Sequence, residues 1–124
     1  MKKIGILGGG VWGSALAKLL SNSSVCIFSR DEKIVKSINE HKFNPKLKYA
    51  VFNENVKATS NLTDLQKKDY LIIALPAQNI SEVLKKYSIN NKNQQIIIAS
   101  KGIDINTKLF PSDLVRELIN TKNI

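Results

Sequence analysis

The chain has 124 residues, 43% of them hydrophobic, and a formal net charge of +9 at pH 7. This length and hydrophobic fraction predict one globular domain with a real core and exclude a disordered chain. No apolar run approaches the ~20 residues of a membrane-spanning helix, so we expect no membrane span. The polar start Met1-Lys2-Lys3 favours a cytoplasmic location over export. Because Cys26 is the single cysteine, we expect neither an internal disulfide nor a metal site.

The positive charge would suit a nucleic-acid partner, but its distribution argues against one. The lysines stand singly or in pairs, such as Lys67-Lys68 and Lys85-Lys86. No basic run is interleaved with aromatic residues, as it would be on a surface that binds single strands. We therefore predict a solvated basic surface and no nucleic-acid partner.

Short apolar runs alternate with helical patterns along most of the chain. Apolar runs predict strands in residues 3–8, 24–29, 69–76 and 94–100. Helical spacing predicts helices in residues 11–20, 31–40, 80–87 and 111–119. Between them, residues 41–55 predict a long loop, followed by a short strand around residues 55–59 and a short helix in residues 61–68. Since each parallel step needs a crossover helix, this alternation predicts an α/β fold with a doubly wound parallel sheet in residues 1–124.

Glycines mark the passage from the first strand to the first helix. Gly8, Gly10 and Gly13 form the pattern G-x-G-x-x-G. In this context the first glycine permits a tight turn, the second leaves room for a diphosphate, and the third lets helix and strand pack closely. Ser14-Ala15 stands where a nucleoside-triphosphate P-loop requires Lys and Ser or Thr, which excludes that class. The pattern predicts a Rossmann-like dinucleotide site, with a glycine turn that binds no ligand as the alternative.

The residues after the second strand bear on which dinucleotide would bind. About 20 residues beyond the glycines, an acidic residue usually holds the ribose of NAD, whereas an arginine can pair with the 2′-phosphate of NADP. Ser29 and Arg30 stand there and favour NADP. Asp31 and Glu32 follow and would serve NAD if the register shifted by one residue. Arg30 as an ordinary solvated charge also stays open.

A lysine follows the last predicted strand. Lys101 stands directly after residues 94–100, at the strand end where ligands of such sheets bind, and Gly102 permits a sharp exit. Its ammonium group suits an anionic substrate or a nucleotide phosphate. The alternative is an ordinary lysine on a surface loop.

Several segments resemble one enzyme family in their order and spacing. They are "GILGGGVWGSALA", the arginine after the second strand, "DYLIIALPAQNISEVL" and "IIASKGID". Together they resemble the amino-terminal part of bacterial NAD(P)-dependent glycerol-3-phosphate dehydrogenase, over nearly the whole chain. The most specific pieces are Val11-Trp12-Gly13 and Ser100-Lys101-Gly102. The resemblance implies hydride transfer between NAD(P)H and dihydroxyacetone phosphate or sn-glycerol 3-phosphate, toward glycerophospholipid precursors.

The resemblance also implies roles for the matching residues. Those expected to bind the cofactor are Gly8, Gly10, Val11, Trp12, Gly13, Arg30, Pro76, Ala77 and Lys101. The glycine turn would hold the diphosphate, and Arg30 would meet the phosphate on the adenosine ribose. Pro76 and Ala77 would lie near the nicotinamide ribose, and Lys101 would also contact the substrate. Trp12 can act through its backbone while it packs as a core aromatic.

Three departures from the family pattern limit these expectations. Val11 stands where the family more often has serine, and the loop "NPKLKYAVF" lacks the usual Leu-Pro. In the family, a further strand and a helical domain supply the general base and the groups that bind the substrate phosphate. We expect neither in this chain, so the cofactor domain is predicted to be incomplete and to hold no catalytic residue. His41, the single histidine, lies in the predicted loop, away from the crevice.

These departures shape the predicted partners. We expect the chain alone to be inactive, as a piece of a longer enzyme, as half of a split enzyme with a separate helical-domain chain, or as a decayed reading frame. The alternative function is a stand-alone NADP(H)-binding or interaction module without turnover. A sheet that lacks its last strands would expose an apolar edge, so we also predict a homodimer or aggregation.

Overall fold

The computed structural model describes residues 1–87 and 93–119, which form a parallel sheet covered by helices on both faces. The strands are β1 (Lys3–Leu7), β2 (Ser24–Phe28), β3 (Val56–Thr59), β4 (Tyr70–Ile73) and β5 (Gln95–Ile98). The helices are α1 (Val11–Leu19), α2 (Glu32–His41), α3 (Ala77–Leu84) and α4 (Pro111–Ile119), with a 3₁₀ helix at Leu62–Leu65. The predicted α/β class and parallel sheet are confirmed. No helix within these described ranges has both the length and the apolar character to cross a membrane.

The strand order places a switch point at the centre of the sheet. Across the sheet the order is β3-β2-β1-β4-β5, and every pair is parallel. The chain winds outward from β1 through β2 to β3, then returns to place β4 on the other side of β1. The carboxyl ends of β1 and β4 therefore border a crevice, the usual ligand position in sheets of this kind.

Side chains that alternate along the strands build a core on each face of the sheet. Leu7 and Ile73 belong to the core beneath α3 and α4, together with Ile80 of α3. Ile6 and Ile27 face the other way and pack with residues of α1 and α2. Because both faces of the central strands are covered, their apolar runs are continuous, as the sequence predicts.

Two helices begin at different positions from those predicted. α2 starts at Glu32 because the carboxylate of Asp31 caps it, accepting a hydrogen bond from the backbone N–H of Lys33 at 2.9 Å. α3 starts at Ala77, directly after Pro76, three residues before the predicted start. The helix predicted for residues 61–68 is only the short 3₁₀ helix.

Polar contacts tie the start of β5 to the rest of the sheet. The buried amide of Gln94 donates hydrogen bonds from Nε2 to the carbonyl oxygens of Leu65 (2.9 Å) and Lys68 (3.0 Å). The Tyr87 hydroxyl donates a hydrogen bond to Oε1 of Gln94 at 2.8 Å. Burial raises the pKa of Tyr87 to about 12. Burial likewise raises the pKa of the partly buried Cys26 thiol, which makes it a poor nucleophile at neutral pH.

The strand β5 is covered on only one face of the sheet. Ile96 is 2% exposed and packs under α3 and α4, but its neighbour Ile97 is 46% exposed on the opposite side. The helices on that side cover the sheet from β3 to β4 and leave Ile97 of β5 open. In the described part of the chain, β5 pairs only with β4, so its outer edge is unpaired as well.

We expect Ile97→Lys to reduce self-association of the isolated chain. Burying an isoleucine in an interface contributes ~1.5–3 kcal/mol, so its replacement by a charge weakens dimerisation about tenfold or more. Sedimentation velocity over a range of concentrations measures the effect. Leu19→Lys is the matched control, because Leu19 is 78% exposed on α1, away from β5. A wild-type chain that stays monomeric at every concentration would contradict the predicted self-association.

Candidate functional site

Two cavities flank the glycine turn at the carboxyl edge of the sheet. The β5-side cavity measures about 500 Å³ and is lined by Gly10, Val11, Trp12, Ala74, Leu75, Pro76, Ala99, Ser100 and Lys101. The β2-side cavity measures about 320 Å³. Its lining includes Gly8, Phe28, Ser29, Arg30, Asp31, Lys46 and Asn79, and it shares Gly10, Ala74, Leu75 and Pro76 with the first. Both cavities therefore meet at the switch point between β1 and β4.

Three glycines of the turn have three different surroundings. Gly8 has a φ of +139°, and a Cβ there would lie 2.6 Å from the carbonyl oxygen of Ala74. A Cβ on Gly13 would lie 2.0 Å from the carbonyl oxygen of Gly8, so α1 packs tightly on the end of β1. A Cβ on Gly10 would meet no atom within 4 Å. The turn is thus closed at Gly8 and Gly13 and open at Gly10.

The open position coincides with the start of α1. Gly10 is the residue before the helix, its backbone is extended, and no side chain caps the first turn. The N–H groups of a first helical turn lack intrahelical partners and carry the positive end of the helix dipole. Here those groups stand beside two cavities, an arrangement that suits a phosphate or diphosphate.

A buried asparagine supports the turn from the loop between α2 and β3. The Nδ2 of Asn44 donates hydrogen bonds to the carbonyl oxygen of Gly9 (2.8 Å) and to Oγ of Ser14 (2.7 Å). Its Oδ1 accepts one from the backbone N–H of Lys46 at 3.0 Å. Asn44 is fully buried, and sequence reasoning missed it, because "FNPK" indicates only a turn.

The β2-side cavity gathers charged groups from separate parts of the chain. Arg30 follows β2 as predicted, and its Nη1 lies 2.7 Å from Oε1 of Glu82 on α3. Lys46 brings a second cation from the loop, which the sequence did not single out. The carboxylate of Asp31 serves as the cap of α2, and its backbone N–H donates to Oγ of Ser29 at 3.1 Å. The Asp31 carboxylate thus acts as the N-cap of α2.

Trp12 and Lys101 stand at the β5-side cavity. The Nε1 of Trp12 donates a hydrogen bond to the carbonyl oxygen of Ala99 at 2.9 Å, which links α1 to the end of β5. Trp12 is 52% exposed, so the alternative of a plain core aromatic is wrong. Ser100 Oγ donates to the carbonyl oxygen of Ile73 at 3.1 Å and joins the ends of β4 and β5. The exposed Lys101 follows directly, as predicted.

The remaining predicted residues divide between the cavities and the core. Pro76 lines both cavities, while Ala77 is buried at the start of α3 and lines neither. Gly13 acts in packing, as described above. His41 ends α2 with an exposed side chain and lines neither cavity. Within residues 1–87 and 93–119, no three His, Cys, Asp or Glu side chains gather as metal ligands.

Comparison with known families agrees with this geometry. The sequence model of the family described as "NAD-dependent glycerol-3-phosphate dehydrogenase N-terminus" matches residues 3–124. The chain belongs to this family. The resemblance to glycerol-3-phosphate dehydrogenase that its motifs suggest is thereby confirmed.

Relatives and solved structures extend the comparison. The glycerol-3-phosphate dehydrogenase [NAD(P)+] of Neorickettsia sennetsu is 36% identical over 123 residues, 96% of this chain and 37% of that enzyme. The Bacillus licheniformis enzyme of the same name is 37% identical over 124 residues, 96% of this chain and 36% of that enzyme. The crystal structure of Coxiella burnetii glycerol-3-phosphate dehydrogenase superposes with a TM-score of 0.86 at 23% identity, covering 97% of this chain and 38% of that one. This chain of the glycerol-3-phosphate dehydrogenase family thus spans little more than a third of these relatives.

Asn44→Ala is expected to destabilise the fold by ~1–3 kcal/mol, because Ser14 Oγ and the carbonyl oxygen of Gly9 lose a buried donor. The midpoint of urea unfolding measures the change. Asn53→Ala is the matched control, since exposed Asn53 also donates from Nδ2 to a backbone carbonyl, that of Ser21 at 3.1 Å. Equal losses for the two variants would show that Asn44 has no special supporting role.

Gly13→Ala and Gly10→Ala are expected to differ sharply in stability. The new methyl at position 13 would overlap the carbonyl oxygen of Gly8, so α1 must shift off β1 at a cost of more than ~2 kcal/mol. The methyl at position 10 enters open space, and we expect a change within ~1 kcal/mol. Thermal unfolding of both variants checks this, and a reversed order would contradict the packing described here.

Proposed function

We propose that the chain binds NADP(H) or NAD(H) and forms the cofactor-binding part of a glycerol-3-phosphate dehydrogenase. The observation that carries the proposal is the open space at Gly10, beside an uncapped helix start and between two cavities. A Cβ at Gly10 would enter this open space, whereas a Cβ at Gly8 or Gly13 would overlap a backbone carbonyl oxygen. Membership of the family and the [NAD(P)+] names of the relatives support the same conclusion.

The linings of the two cavities suit the two ends of the dinucleotide. In this proposal the β2-side cavity takes the adenosine ribose, where Arg30 and Lys46 offer positive charge to a 2′-phosphate and favour NADP. The β5-side cavity takes the nicotinamide, among mainly apolar groups such as Val11 and Leu75. When bound, the nicotinamide supplies the hydride chemistry of the family. The residues of this chain bind it and orient it.

Lys101 is the proposed substrate contact. Its ammonium group borders the β5-side cavity and suits the anionic phosphate of sn-glycerol 3-phosphate or dihydroxyacetone phosphate. It is the one ionisable side chain in the described lining of that cavity, so we propose binding, rather than turnover, for these residues alone. Turnover would need a base from a helical domain or a separate helical-domain chain. The cytoplasmic location stays a prediction.

Fluorescence of Trp12, the single tryptophan, tests cofactor binding directly. We expect a saturable change on titration with NADPH, because the half-exposed indole lines the β5-side cavity. Gly10→Ala should weaken binding at least about tenfold, or ~1.4 kcal/mol, since its methyl occupies the phosphate approach.

Leu19→Lys is the control for this titration, because Leu19 lines neither cavity and should leave the affinity unchanged. Addition of dihydroxyacetone phosphate to the NADPH-loaded chain should produce no oxidation of NADPH. A flat titration up to millimolar NADPH and NADH would overturn the proposed function.

A further inference from the structure

The arginine that borders the β2-side cavity is already held by a carboxylate from another helix. Arg30 Nη1 contacts Glu82 Oε1 at 2.7 Å, and the two side chains are 54% and 57% exposed. Glu82 lies on α3, 52 residues further along the chain, so this contact exists only in the folded protein. Arg30 and Glu82 line a small neighbouring cavity together, whereas Arg30 alone of the two also lines the β2-side cavity.

Glu82 thus offsets one of the two cations that line the β2-side cavity before any ligand arrives. Asp31, whose carboxylate caps α2, lines the same cavity, and Lys86 lines the small cavity with Arg30 and Glu82. A guanidinium has five N–H donors, but donors that point at the Glu82 carboxylate are not free for a phosphate. An exposed ion pair contributes little to stability, so Arg30 can leave Glu82 for another anion at a small cost in free energy.

We propose that Glu82 is a specificity-determining residue that reduces the advantage of NADP(H) over NAD(H). This inference rests on the proposed function, because it concerns how the bound dinucleotide is selected. The 2′-phosphate of NADP(H) must compete with Glu82 for Arg30. NAD(H) carries a hydroxyl at that position and does not meet this cost. Lys46 stays available to the 2′-phosphate throughout, so Glu82 moderates the preference for NADP(H) and does not reverse it.

Glu82→Gln tests the inference through two dissociation constants measured by Trp12 fluorescence. The variant keeps the size of the side chain and removes its charge. We expect the affinity for NADPH to rise about two- to fivefold, the scale of an exposed ion pair, and the affinity for NADH to stay unchanged. The gain should shrink at high salt, because the interaction is exposed and screened.

Two further variants separate a local effect from a general one. Glu117→Gln removes the same charge from an exposed position of α4 that lines neither cavity, and should change neither constant. In the Arg30→Ala background, Glu82→Gln should no longer raise the affinity for NADPH, because the two residues act through their contact.

The outcomes distinguish this inference from the proposed function. If the wild-type chain binds neither NADPH nor NADH, the proposed function is overturned. Binding of both, with a ratio of constants that Glu82→Gln leaves unchanged or lowers, would overturn the inference alone. An equal gain for NADPH and NADH, or a gain that persists in the Arg30→Ala background, would also overturn it, since neither involves the 2′-phosphate and Arg30.

Discussion

The contact between Gly13 and the carbonyl oxygen of Gly8 is the constraint on which the candidate site depends. With no Cβ in between, α1 packs directly on the end of β1, and its first turn reaches the switch point of the sheet. The two cavities then lie on either side of the glycine turn and share its wall with the end of β4. A wider spacing between α1 and β1 would move the uncapped N–H groups of α1 away from both cavities.

The second support of the site comes from the part of the sequence with the least pattern. Asn44 reaches out of the loop between α2 and β3 and holds the turn at Gly9 and the helix at Ser14. Lys46, two residues later, lines the β2-side cavity. The loop therefore supplies hydrogen bonds that hold the glycine turn and a positive charge at the β2-side cavity. Its composition alone indicates only a loop between α2 and β3.

Much of the fold is predictable from the sequence because its signals are local. Apolar runs predict the strands, and G-x-G-x-x-G between strand and helix predicts the turn. What escapes prediction depends on contacts between distant residues. The exposure of Ile97 depends on which helices cover β5, and the pairing of Arg30 with Glu82 depends on how α3 lies against the end of β2. Trp12 looks like a core residue by type, but it lies half-exposed and its indole N–H donates to the carbonyl oxygen of Ala99, 87 residues further along the chain.

That Trp12 contact joins two of the walls of the β5-side cavity, α1 and the end of β5. Trp12 and Ala99 are 87 residues apart in the chain, and one indole hydrogen bond links them. A bond of this kind contributes about 1 kcal/mol net, far less than the strand pairing behind it. Rotation of the Trp12 side chain would therefore break this link and leave the parallel pairing of β4 with β5 in place.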